Sequence, residues 1–509
     1  MQLIEKYRPH LSRFAGILIW AIILVGIILR LVLFFQNRNL IIDEANIVRN
    51  LYERNFLELI LPLKYEQYAP PIFLWIEELL SLIFGYGEKA LRLYPLLSGI
   101  ALMFLFRATM RRLGVGSSLW LPMALMAFTY LLIKYSVELK QYIPDAMIAL
   151  LLVWLALKKG IDSAQSKVKF ILFWAIAGSL AIWSSMPSVF TLAAIGFYFL
   201  LQVFTTDRRE YFVPLILVGG IWLLQFGIYY WFILKPQVES DYLQGYHFEY
   251  FLYATPDNMD QWKHNYYRIK EIINNIGGYN PTSYYITSFF ILLGVVSMII
   301  RRNRAVVLVS LPILFTLIAA ALNQYTLIDR VILFILPLGL ILFGVGFNEV
   351  WRIKFVVVKL LLIWMGVFMI QNFNMFWLFE RKLGFHEITA GFEYIKEKGG
   401  EGSQVYVHHA STPTYIYYTE MHPDREQYSM LTGAHKLTWD TDYNQLTSSI
   451  RDTAYFLYTG GFPDHERDRL TSTIEKNMVQ VDYFRPEEWI VFVYTYAPKV
   501  NTPDSLQVR

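Results

Sequence analysis

After a short stretch carrying Lys6, Arg8 and Arg13, the chain turns apolar from Phe14 to Phe35, interrupted only by Arg30. About 20 apolar residues cross the hydrocarbon core of a bilayer as a helix, so this run predicts a membrane span. It is too long for the core of a secretory signal and no small-residue cleavage site follows it, which marks it as an uncleaved first helix. Comparable runs recur at 90–110, 117–134, 143–157, 168–185, 188–204, 212–234, 283–300, 305–322, 331–347 and 355–373, giving eleven spans.

Basic clusters separate these runs: Arg107, Arg111 and Arg112; Lys158, Lys159, Lys167 and Lys169; Arg208 and Arg209; Arg301, Arg302 and Arg304; Arg352 and Lys354. Each follows an even-numbered run. Short loops rich in Lys and Arg stay in the cytoplasm, so the N-terminus is expected inside and the C-terminal part outside, as in a multi-pass protein of the bacterial inner membrane. The stretch 70–85, PPIFLWIEELLSLIFG, could be counted as a further span. Glu77 and Glu78 stand in its middle, each costing about 2.5–3.5 kcal/mol at the bilayer centre. Counting it would also turn every basic cluster outward, so it is expected to lie along the outer surface. Arg30, Arg92 and Lys359 lie near span ends, where long cations reach the headgroups.

The outer face then holds 36–89, a turn near 135–142, the loop 235–282, a turn near 323–330 and everything after about 374. Every histidine except His10 falls there. The tail alternates helical stretches (GFEYIKEKG, HERDRLTSTIEKN) with strand-like ones (SQVYVHH, AYFLYTG, WIVFVYTY), the pattern of a small α/β domain. The expected fold is thus a polytopic α-helical membrane protein with outer amphipathic helices and a soluble C-terminal α/β domain. The transmembrane domain runs over 1–373, with outer loops 36–89 and 235–282, and the extracytoplasmic domain over 374–509.

Composition agrees. Charged residues make up only 17% of the chain against 55% hydrophobic, too few charges for a soluble protein of this length. The net charge of +4 is small and dispersed, which excludes a nucleic-acid partner. There is no cysteine, hence no disulfide, thiolate nucleophile or thiolate-bound zinc. GxSxG, HExxH and Walker A patterns are also absent.

Candidate chemistry concentrates in the outer loops. In IIDEAN (41–46), Asp43 and Glu44 open an amphipathic helix, where Asp43 is expected as the N-cap and Glu44 in the first turn. Glu66, in KYEQYAPP, precedes a rigid Pro-Pro pair and reads alone as a solvated loop carboxylate. VELKQYIPDAM (137–147) carries Glu138, Lys140 and Asp145 at a helix start. There Lys140 could pair with a neighbouring acid or bind an anionic headgroup, and Asp145 could act as a cap. Arg330, and Lys263, His264 and Arg268 in the loop 235–282, are outward cations that call for phosphate or headgroups.

Taken in order, these features resemble the GT-C superfamily of membrane glycosyltransferases, and within it the bacterial branch of aminoarabinose and protein O-mannosyl transferases. The resemblance rests on the Asp43–Glu44 pair, Glu66 before Pro70–Pro71, a surface helix ending at Phe84–Gly85, and Arg92 opening the next span. Arg111–Arg112, KQYIPDAM as a basic-x-x-x-Pro-Asp element, and Arg330 before an LPL helix complete it. The chain departs from the pattern at Gln67, where relatives often carry Lys, and at Lys140, where Arg is common.

The resemblance implies transfer of a sugar from a polyprenyl-phosphate donor to an acceptor hydroxyl on a lipid, glycan or protein. It implies Asp43 as general base, supported by Glu44 and Asp145, with Lys140 and Arg330 on the donor phosphate. A divalent metal ion held by Glu66 and His264 belongs to the same expectation, although no cofactor is required. The alternative is a non-catalytic transporter or binding protein for lipid-linked glycans.

Overall fold

The computed structural model describes residues 2–371, 387–399, 404–459, 464–486 and 491–499. The chain packs into two compact units. One comprises Met1–Phe35, Phe56–Leu79 and Arg92–Met375, the other Gln36–Asn55, Leu80–Leu91 and Phe376–Arg509. Two pieces of the first outer loop therefore fold with the C-terminal part. The expected domain boundary at 373/374 lies outside the described residues, as do Ser403, Gly460, Trp489 and Ile490 of the expected strands.

The first unit is helical, and over most of its described length each apolar run of the sequence falls on helix. Among the described residues seven helices are long and apolar enough to cross a membrane: Phe14–Phe35, Glu88–Arg112, Lys167–Ser184, Ser188–Thr205, Arg209–Leu234, Pro281–Ile300 and Leu333–Trp351. The other four expected spans differ from simple apolar rods. Ala305–Ala321 and Val356–Gln371 are shorter. The helix Tyr142–Lys159 carries Asp145 at its start and two lysines at its end. The run 117–134 is not one helix: Ser117–Phe128 and Tyr130–Val137 meet at 58°.

That break corrects the expectation for Arg30. Its side chain does not reach for headgroups but is completely buried. The guanidinium donates to the carbonyls of Gly26 at 2.9 Å and Ala127 at 3.1 Å, and to Ser136 Oγ at 3.2 Å. Carbonyls at a helix end have no partner within the helix. The break at Thr129, whose ψ of 122° leaves the helical range, frees Ala127, and Arg30 satisfies it. Thr129 contributes by turning its hydroxyl back onto Leu125 O at 2.6 Å, a bond that bends helices.

The helix Leu336–Trp351 is buried without interruption from Leu336 to Asn348. Its closest neighbour is Pro281–Ile300, and two glycines set the approach. A methyl group on Gly294 would meet Leu342 O at 2.0 Å, and one on Gly346 would meet Phe290 O at 2.0 Å. The two backbones touch, as small residues allow in membrane bundles.

The surface helix Pro71–Phe84 ends on Gly85, whose φ of +84° is the left-handed geometry of a helix C-terminus. Leu79, Leu82 and Ile83 are exposed, while Glu77 and Glu78 are buried. The helix thus shows an apolar face outward and turns its acids into protein.

The second unit contains a five-stranded sheet: β1 (Gln404–Val407), β2 (His435–Lys436), β3 (Ala454–Thr459), β4 (Met478–Phe484) and β5 (Val491–Pro498), in the order β2-β1-β3-β5-β4. β1 runs parallel to β2 and β3, and β5 is antiparallel to β3 and β4. β3 is buried along its whole length, as a central strand covered on both faces must be. The helix Ile388–Gly399 covers one face, where Gly391 lies against Leu457 and Val491.

Candidate functional site

The first unit gathers Lys140 and Asp145 at the start of the Tyr142–Lys159 helix. Lys140 is buried and donates to Gln67 Oε1 at 2.7 Å. Gln141 is the N-cap residue and donates through Nε2 to the Tyr68 carbonyl at 3.2 Å. Asp145, expected as a cap, instead lies one turn inside the helix, its N–H donating to Gln141 O at 2.8 Å. Pro144, before it, forfeits only an N–H that has no partner within the first turn.

Asp145 is buried beside Ser185, and Tyr68, Tyr94, Tyr229 and Tyr325 all lie close enough to feel its charge. The Tyr68 and Tyr229 hydroxyls bond to each other. Burial, Tyr229 and Asp145 hold the Tyr68 phenol well above its ordinary value, so it stays a neutral donor. Sequence reasoning marked Gln67 only as a departure from the family pattern and passed over Tyr68, Tyr229 and Tyr325. Gln67 and Tyr68 were within sight, since they adjoin Glu66 in EQYAPP.

Gln67 is delivered by a tight turn in which both Tyr65 (φ 64°) and Glu66 (φ 52°) are left-handed. This is a costly geometry for side-chain-bearing residues. Glu66 itself is exposed on that turn. His264, on the helix Met259–Gly277, places Nε2 2.9 Å from the Phe251 carbonyl. A carbonyl only accepts, so Nε2 carries the proton and Nδ1 is the nitrogen left for a ligand. Among the described residues no three His, Asp or Glu side chains converge as a metal set. Glu66 and His264 thus offer two donors, short of the usual metal shell.

Arg330 donates to the Tyr246 hydroxyl at 3.1 Å and lies within electrostatic reach of Lys134 and Tyr135. Glu138 pairs with Lys134 at 3.6 Å. Next to Arg330, Asp329 accepts from Asn275 Nδ2 at 2.6 Å, and burial together with Glu271 pushes its carboxyl up to about 6.

In the second unit, Asp43 and Glu44 open the helix Ile42–Glu53. The N-cap residue is Ile41, not Asp43. An isoleucine side chain cannot cap, and the Glu44 carboxylate does the work instead, accepting from Ile41 N–H at 3.0 Å. This is the acidic half of a capping box. Glu44 is fully buried, while Asp43 sits half-buried at the second helical position.

The same unit holds a second polar centre that the sequence did not announce. Tyr418 donates to Glu88 Oε1 at 2.6 Å and accepts from Leu40 N–H at 3.1 Å. His422 Nδ1 accepts from Asp424 N–H at 3.1 Å, so in the neutral ring Nε2 bears the proton and donates to Glu88 Oε2 at 3.2 Å. No sequence motif links residues this far apart.

Among solved structures, the chain is similar to ArnT from Cupriavidus metallidurans in the apo state. The TM-score is 0.52 at 13% identity, over 93% of this chain and 97% of that one. The chain has the ArnT fold. The resemblance read from the motifs is therefore matched in the fold. The same ArnT bound to undecaprenyl phosphate gives a TM-score of 0.49 at 14% identity, over 93% and 97% of the two chains. The Archaeoglobus fulgidus oligosaccharyltransferase in complex with Zn and sulfate gives 0.49 at 11% identity, over 94% of this chain and 73% of that one. No protein-family model and no curated protein matches the sequence.

Proposed function

We propose that this protein is a membrane glycosyltransferase, moving a sugar from a polyprenyl-phosphate donor to an acceptor hydroxyl outside the cytoplasm. The observation that carries the reading is the start of the Tyr142–Lys159 helix. There the Lys140 ammonium, fixed by Gln67, stands at a helix N-terminus within an ArnT-like fold. A cation and a helix N-terminus together favour a phosphate.

Asp43 takes the acceptor's proton, and the acceptor oxygen forms its bond to the anomeric carbon. The bond from that carbon to the phosphate oxygen breaks, and polyprenyl phosphate leaves with inverted configuration at the sugar. Lys140 and Arg330 stabilise the departing charge, an electrostatic role that strengthens away from water. Asp145, among its tyrosines, orients the donor by hydrogen bonding. Glu44 braces the turn that carries Asp43.

The test is transfer from labelled polyprenyl-phosphate sugars by purified wild-type protein beside Asp43→Asn. Wild type is expected to release polyprenyl phosphate, and the variant to be slower by about 10²–10⁴-fold, the usual worth of a general base, with its melting temperature unchanged. Equal release by both removes Asp43 as the base. Binding of donors without turnover by either selects the transporter reading.

A further inference from the structure

The Glu88 centre is the floor of a pocket of about 340 Å³ lying wholly within the second unit. That volume is at the lower end of the roughly 300–1,000 Å³ typical of small-molecule sites. Its floor is rigid. Glu88, Tyr418 and His422 are all buried, and their hydrogen bonds to one another fix both carboxylate oxygens. Other side chains form its rim. Asn37, Asp424 and Gln427 are exposed there, and Phe84, 63% exposed, presents an aromatic ring beside them.

Planar amides that both donate and accept, a carboxylate that accepts, and an exposed aromatic ring suit a ring with many hydroxyls. The charge does not draw a phosphate: the lining carries two carboxylates, Glu88 and Asp424, against Lys89 and His422, and His422 is already engaged by Glu88. The pocket is also tied to the Asp43 turn. Leu40 bonds through its N–H to Tyr418 in the floor, and Asp43 follows three residues later. A chain spans at most about 3.3–3.6 Å per residue, which keeps the Asp43 backbone within roughly 11 Å of Leu40.

We infer that this pocket holds a neutral sugar ring of the acceptor, presenting a hydroxyl toward Asp43. The acceptor is then a glycan or glycolipid rather than an unmodified protein. The assignment of the ligand as acceptor rests on the proposed role of Asp43. The binding of a sugar does not.

The experiment uses the full chain in nanodiscs without donor. Saturation-transfer NMR is recorded with the methyl glycosides of glucose, galactose, mannose and arabinose, with glycerol as control and inorganic phosphate as competitor. At least one glycoside is expected to bind where glycerol does not, to resist phosphate, and to lose at least tenfold in affinity in Asp424→Ala/Gln427→Ala. Both positions are on the exposed rim, and Phe84→Ala gives an independent variant that leaves the polar network whole. Glycoside binding no better than glycerol, displacement by phosphate, or binding that survives both variants overturns the pocket and leaves the transfer reading to its own test. Glycoside binding that behaves as expected, in a protein whose Asp43→Asn variant transfers at the wild-type rate, overturns the assignment of the ligand as acceptor while leaving a sugar site.

Discussion

Gln67 shows how a residue can stand out in a sequence without disclosing its partner. The position stands out because relatives often place Lys there, and in this chain its amide oxygen receives the Lys140 ammonium at 2.7 Å. A lysine at 67 would set two cations against each other. Gln67→Leu is expected to cost about 1.5–3 kcal/mol, the worth of a hydrogen bond to a charged group, read as a lower melting temperature in detergent. Gln67→Lys should be worse, and Gln67→Lys/Lys140→Gln should recover much of the loss, because it moves the charge rather than doubling it.

Asp329 makes the second prediction at this scale. Its carboxyl is raised to about 6 from 3.8. The folded state therefore holds a proton that the unfolded chain has released, and stability falls as pH rises from about 4 to about 6, then levels. Asp329→Asn keeps an acceptor for Asn275 and should flatten that part of the melting-temperature profile. Asp43 was legible as part of a helix start but misplaced by two positions, because Glu44, one residue on, reaches back and spares Ile41 a capping side chain.

Among the elements, length and periodicity exposed the helices and the alternation of the tail. What they could not expose was the break at Thr129. The stretch AFTYLLI contains neither Pro nor Gly, and the break is made by contacts, Arg30 from one side and the Thr129 hydroxyl from within. The glycine contact is different in kind. Gly294 and Gly346 were visible in the sequence, but nothing there said that their helices meet. With a carbonyl 2.0 Å from where its Cβ would stand, Gly294→Leu must drive Pro281–Ile300 away from Leu336–Trp351. The expected outcome is loss of the folded protein, seen as aggregation on size exclusion, whereas Gly196→Leu, with open space around it, should behave as wild type.

At the level of the whole molecule, the orientation expected from the basic clusters is directly testable, because the sequence has no cysteine. Gln165→Cys and Ser429→Cys each introduce the sole thiol. A membrane-impermeant maleimide added to intact cells is expected to label Ser429→Cys at once and Gln165→Cys only after permeabilisation. Reversed labelling inverts the topology and removes the outer-face chemistry with it.

The Tyr418 hydroxyl also sets a clock. It joins Glu88 to a residue 330 positions downstream. At about 5–20 residues per second, synthesis takes on the order of tens of seconds to cover that distance. Through that interval Glu88 and the Leu40 N–H wait without the partner that will bury them. These early segments are thus made long before they can fold, and a chain arrested ahead of Tyr418 should leave 36–55 and 80–91 open to protease. The late sheet domain completes them, so only a fully translated chain has a finished second unit.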